Sequence, residues 1–235
     1  MPPTPALPSA VRAQLLATEH WGLLASRSTT QAEVLTRIAI FLTMVSAGLV
    51  SIGLLGQVTR FADWFPVAAL AVLAFLSLVG LMTQVRVHNA SEEDLMYVVA
   101  MNRLRGAYAD LDPGVERYFL AAVEDDEGGM ARTYSFMRKR TVSHGIGSSG
   151  LLITIVTGLM LGMLAGGIVA VAGGTNGQAI AVGCVVGVAN VAGMSAYGMW
   201  AYAVAWRNHV PLRGAAPGGR VHPFSAGQTR SHPQP

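Results

Sequence analysis

Between Arg140 and Arg207 the chain runs 66 residues without a single Asp, Glu, Lys or Arg. A water-soluble domain cannot leave so long a segment uncharged. The run is also about three times the ~20 apolar residues needed to cross a hydrocarbon core. Two further apolar runs lie upstream of it. The sequence therefore predicts four transmembrane helices, over residues 38–58, 67–85, 151–172 and 179–206. Charged residues make up 12% of the 235, half the roughly 25% of soluble domains, so lipid is the expected solvent.

The implied fold class is all-α: a polytopic membrane protein with four transmembrane helices in two hairpins and a cytoplasmic helical insertion. Its parts are an N-terminal segment with a short amphipathic helix (1–29), a first hairpin (30–85), a cytoplasmic helical region (86–148), a second, glycine-rich hairpin (149–206) and a disordered tail (207–235). Ser9 is placed to cap a helix over 10–26, whose Leu15, Leu16, Trp21, Leu23 and Leu24 form a broad apolar side. That helix either lies on the membrane surface or packs on the protein's own cytoplasmic part. Thr30 with Glu33 fits a capping box that starts the helix of the first span. Pro66 suits the first turn of the second span's helix.

Residues 86–140 hold eight basic and ten acidic residues, too many for hydrocarbon. Ser91 with Asp94 reads as another helix start, followed by Leu95, Val98, Val99, Met101, Leu104 and Tyr108 at helical spacing. Asp112-Pro113 opens a further helix with Val115, Phe119, Ala122 and Val123 as its apolar side. The acidic run Glu124-Asp125-Asp126-Glu127 lacks the alternate spacing of a calcium loop and reads as a solvated linker. Arg138-Lys139-Arg140 is placed to anchor the third span at anionic headgroups. Gly173 to Gly177 reads as a tight turn between the third and fourth spans.

Orientation follows from the basic residues. Arg12, Arg27 and Arg37 precede the first span, eight lie in the middle segment and four in the tail, against Arg60 and none in the two short turns. The positive-inside rule puts both termini and the middle segment in the cytoplasm. The first apolar run is too long for a signal core and lacks a cleavage site. Fifteen Arg against one Lys point, by codon usage, to a GC-rich bacterium, hence to a multi-pass protein of the bacterial cytoplasmic membrane.

The candidate packing or oligomer residues are Gly158, Gly162, Gly166, Gly183 and Gly187, together with Asn190. Glycines every fourth position let helix backbones touch, which in lipid is a main source of association. They either pack the third span on the fourth or leave a face for a second subunit. Asn190 is read as the most polar residue inside a span. It seeks an interhelical bond to Thr154, Thr157 or a carbonyl, or lines a pore. The Leu-, Phe- and Val-rich first two spans are expected to face lipid more. Cys184 reads as a small apolar residue in a packed helix. No ionisable residue lies mid-membrane, which argues against proton coupling and voltage sensing. The six histidines are scattered, and no metal, nucleotide or nucleophile motif appears. No catalytic, cofactor or metal site is expected, and no nucleic-acid partner.

The segments LLATEHWGLLASRS (15–28) and MNRLRGAYADLDPGVERYF (101–119), the latter followed by EDDEGG, resemble a group of actinobacterial four-span integral membrane proteins. The likeness covers 15–174 in layout, and it implies fold and lineage but supplies no site. In layout alone, an N-terminal helix, a two-span hairpin and a cytoplasmic helix also look like the SLATT-type effectors of bacterial conflict systems, which imply membrane perturbation. This chain departs from that pattern by its second hairpin. The expectation is a non-enzymatic membrane protein presenting a cytoplasmic helical module to a protein partner, in a scaffold, sensor or regulatory role. The alternative is an oligomeric channel or pore-forming effector built on the glycine-rich spans. The expected partners are the lipid bilayer, a second copy of the chain and a cytoplasmic protein.

Overall fold

A computed structural model describes residues 8–62, 64–135 and 148–214. Arg138-Lys139-Arg140 and most of the C-terminal tail lie outside the described residues. The helices are α1 (Ser9–Thr59), α2 (Phe65–Leu111), α3 (Glu127–Tyr134), α4 (Ser149–Val171) and α5 (Asn176–Asn208), with a short 3-10 helix over Pro113–Tyr118. Four of them are long and apolar enough to cross a membrane.

The two expected breaks near the charged ends of the first pair of spans do not occur. α1 runs 51 residues and α2 runs 47, lengths of ~75 and ~70 Å at 1.5 Å per residue. Neither junction contains Gly or Pro to stop a helix. The hydroxyls read as caps are used otherwise. Ser91 donates back to the Val87 carbonyl at 2.9 Å, and Thr30 reaches across to Glu93 on α2. Glu33 pairs with Arg37 and Arg86 rather than with a free backbone N–H. Ser9 is not a cap either, because Pro8 takes that position without a side-chain bond.

α1 closes in a left-handed turn at Arg60 and Phe61, with φ of 51° and 61°. The Phe61 ring folds over Gly56, where a Cβ would stand 2.3 Å from it. Pro66 lies in the first turn of α2, as expected. The two helices then pair antiparallel along their length, Arg27 meeting Asp94, Phe41 meeting Gly80 and Gly48 meeting Leu76. α2 packs in turn on α4, and α4 on α5. Phe41, Val45, Leu73, Leu76, Ile153 and Met160 form the core where α1, α2 and α4 meet.

The expected lipid exposure is redistributed. α4 is the most enclosed of the four apolar stretches, with 39% of its most apolar part buried, while α5 has 6%. α5 touches its neighbour by a narrow glycine face and turns the rest outward. Val50, Leu54, Phe75, Met82, Leu159, Val185 and Val188 all point away from the protein. Apolar surface on this scale is stable only where lipid or protein covers it. Cys184 is exposed on α5 rather than packed, because the glycine face and not its own face meets α4.

A second, smaller core forms at the charged end. Val98, Met101 and Met130 are buried there, with Leu23, Leu24, Leu95, Tyr134 and Trp206 against them. The 10–26 stretch therefore packs partly on the chain's own helices, although Trp21 remains 73% exposed. Asp112 caps as expected, accepting from the Gly114 N–H at 2.8 Å. The helix it opens is a six-residue 3-10 turn, not the longer helix read from Val115 to Val123. Beyond it, side chains satisfy the backbone. Asn102 donates to the Glu124 carbonyl and Thr133 Oγ1 accepts from the Ala122 N–H.

Candidate functional site

The charged module is organised around a buried carboxylate. Asp125 is fully buried, whereas its place in an acidic run reads as solvated. Its side chain takes the Arg103 guanidinium and the backbone N–H groups of Leu212 and Arg213, at 3.1 and 2.8 Å for the two amides. Its own N–H donates to the Arg213 carbonyl at 3.1 Å, and His209 Nε2 donates to its carbonyl at 2.7 Å. Arg103 also holds the Val210 carbonyl, and Arg213 pairs with Asp110. The residues just beyond α5, at the start of the stretch read as a disordered tail, are thus clasped to the loop before α3.

A second network ties α1 to α2. Asp94 is held by Arg27 at 2.6 Å, by Gln31 at 3.0 Å and by the Tyr134 hydroxyl of α3. Arg86 bridges Glu33 and Glu93 at 2.9 and 2.6 Å. Burial pushes the Asp125 carboxyl upward, but Arg103 and the Arg213 and Leu212 amides outweigh it and hold the group below the usual carboxylate range. Asp94 follows the same pattern, burial being outweighed by Arg27, Tyr134 and Gln31. Carboxylates held ionised in this way cross-link the module and are weak proton acceptors.

The candidate glycines meet within one chain. A Cβ on Gly158 would stand 3.0 Å from the Gly187 carbonyl oxygen, one on Gly162 2.6 Å from that of Gly183, and one on Gly166 2.8 Å from that of Ala179. The obstacle is backbone each time, so these positions fix the α4–α5 separation. Asn190 sits across the same contact, its Oδ1 facing the Gly158 position. That oxygen is buried and has no hydrogen-bond partner among the described residues. Neither expected threonine reaches it. Thr154 donates to the Gly150 carbonyl and accepts from Gln84, and Thr157 Oγ1 is itself buried without a partner among the described residues.

Gln84 was not singled out by sequence, because it closes an apolar run beside Arg86 and looks like a boundary residue. It is 1% exposed, faces α4, and leaves its Oε1 unpartnered among the described residues. Ser77, one turn beyond Gly80 on the same face, is likewise buried with an unpartnered hydroxyl. An in-chain Gln or Ser between apolar residues is the one signal that exposes such a seam. Asp125 offered none, since its burial depends on a tail 87 residues away in sequence. No three His, Cys, Asp or Glu among the described residues stand close enough to hold a metal ion. Compared with known proteins, the chain matches no family model, no curated protein and no solved structure.

Proposed function

We propose that the protein is a non-enzymatic, membrane-embedded scaffold or sensor that couples its membrane helices to a cytoplasmic helical module. In this reading α1–α2 and α4–α5 are two transmembrane hairpins, and the residues between them form an insertion on the cytoplasmic side. The observation that carries it is the continuity of α1 and α2. Each runs without a break from apolar stretch into charged module. A tilt or rotation of the membrane part is then delivered to the module as a rigid-body motion, since a helix without Pro, Gly or a bulge at the junction has no hinge there. Arg27–Asp94 and Arg86–Glu33 keep the pair in register across the boundary, and the Asp125 clasp ties the end of α5 to the same module.

A second reading, an oligomeric channel, is favoured by the polar atoms of Ser77, Gln84, Thr157 and Asn190 inside the apolar stretches, which have no partner among the described residues. It is weakened by the spending of the glycine faces on the α4–α5 contact within one chain. Purified protein in liposomes separates the two. Under the scaffold reading a dye or ion flux assay is silent. Cross-linking the outer ends of α1 and α2 then changes hydrogen exchange around Val98 and Met130. Flux above that of empty liposomes supports the channel instead.

A further inference from the structure

The loop that carries Asp125 is seated without help from the segment it clasps. Asn102 of α2 donates to the Glu124 carbonyl at 2.9 Å, and Thr133 of α3 accepts from the Ala122 N–H at 3.1 Å. Asp126 caps α3 by accepting from the Gly129 N–H at 2.7 Å, and Glu124 pairs with Arg132. A Cβ on Gly106 of α2 would stand 3.0 Å from the Val123 carbonyl oxygen, so the loop lies directly on that helix. None of these groups comes from residues 209–214.

The segment beyond α5 meets this loop through hydrogen bonds rather than apolar burial. The chain bends at Leu212 and Arg213, and their successive N–H groups reach the Asp125 carboxylate at 3.1 and 2.8 Å. Two adjacent amides turned the same way form a concave donor pair that suits an anion. The Val210 and Arg213 carbonyls accept from Arg103 and from the Asp125 N–H. Two side chains are gripped, His209 by the Asp125 carbonyl and Arg213 by Asp110. Val210, Pro211 and Leu212 are all exposed.

A loop fixed in advance, holding a ligand by its backbone and by one His and one Arg, is a peptide receptor with its peptide in place. No apolar side chain seals the contact, so a second chain of the same pattern can make the same bonds. If the segment leaves, the fully buried Asp125 carboxylate loses two of its donors, a cost that favours refilling by any chain offering that pair. We propose that the charged module is a receptor for a short peptide of the pattern His-x-x-x-Arg, which residues 209–213 occupy in cis and so hold closed to the same pattern on a partner protein. This rests on the scaffold reading, in which the module meets a protein partner. The two fail separately, because a module that ignores the peptide can still be moved by α1 and α2.

The test uses the full-length protein in nanodiscs of choline phospholipid, which carry no net charge to attract a basic peptide. Leu212→Pro with Arg213→Pro removes both N–H donors and the guanidinium and leaves the receptor half untouched. The probe is a fluorescent peptide of residues 208–214, capped at both ends, followed by polarisation. In the wild type it competes with a tethered segment at about millimolar effective concentration. It should therefore bind the double-proline variant at least about tenfold more tightly than the wild type. Adding Asp125→Asn to that variant should abolish binding. Should that protein not fold, a peptide with Pro at the Leu and Arg positions makes the same test from the ligand side and should not bind. Absence of binding to the double-proline variant, equal binding to wild type, or equal binding of a scrambled peptide of the same composition overturns the assignment.

Discussion

Gly183→Ala is the most informative single substitution. Its Cβ would stand 2.7 Å from the Gly162 carbonyl oxygen, whereas carbon–oxygen contacts settle near 3.3 Å. The obstacle is backbone, so α4 and α5 must separate by roughly 0.6 Å, loosening the contacts at Gly158–Gly187 and Gly166–Ala179 on either side. Overpacking of this kind costs about 1–3 kcal/mol. Alanine also gains up to about 1 kcal/mol of helix propensity over glycine, which would mask part of the cost. Gly193→Ala corrects for that, since it lies in the same helix and a Cβ there meets nothing within 4 Å. The difference between the two variants isolates the steric cost, expected at about 1–3 kcal/mol in a reversible unfolding titration in bicelles. Equal stability of the two variants would refute the α4–α5 contact as described. An unchanged stability accompanied by loss of an oligomer would instead place Gly183 between subunits.

The clasp predicts that Asp125→Asn weakens the module by about 1–3 kcal/mol and speeds hydrogen exchange at Leu212 and Arg213. Exchange there equal to wild type would contradict it. Since Asp125 and Asp94 are held below the usual carboxylate range, their contribution is present above the unfolded value near pH 4 and is lost as pH falls through the folded values. Exchange in the module should therefore rise on going from pH 6 to pH 3. Gln84→Met should be neutral or stabilising by up to ~1 kcal/mol, because it removes an unpartnered buried polar group at similar volume. A loss above about 2 kcal/mol would show that Gln84 Oε1 has a partner. In a Cys184→Ala background, a cysteine at Thr175 should react with an impermeant thiol reagent outside intact cells and one at Gly128 should not. Labelling at Gly128 alone reverses the proposed orientation.

The four apolar helices and the α4–α5 glycine seam were legible because each is local. Composition decides the first, and four-residue spacing decides the second. The turn at Gly173 and the cap at Asp112 were legible for the same reason. Helix continuity was not. Ser91 and Thr30 are as competent to cap as to bond back or across, and what settles it is the pairing of α1 with α2 through Thr30–Glu93 and Arg27–Asp94. Asp125 was opaque because the groups that bury it arrive from residues 209–214. Gln84 and Ser77 were visible as polar letters, but the face they occupy is set by the packing of Phe41, Gly80 and Thr157.

The account rests on α1 passing unbroken through its charged and apolar halves, and one distance tests this directly. Spin labels at the exposed positions Thr18 and Ser51, in the Cys184→Ala background, are separated by 33 residues of helix. A continuous α1 places them ~50 Å apart, and pulsed dipolar measurement in nanodiscs should return one narrow distribution there. A break between Ser26 and Thr30 would give a broad distribution or a clearly shorter mean, and the rigid coupling of membrane helices to module would fall with it.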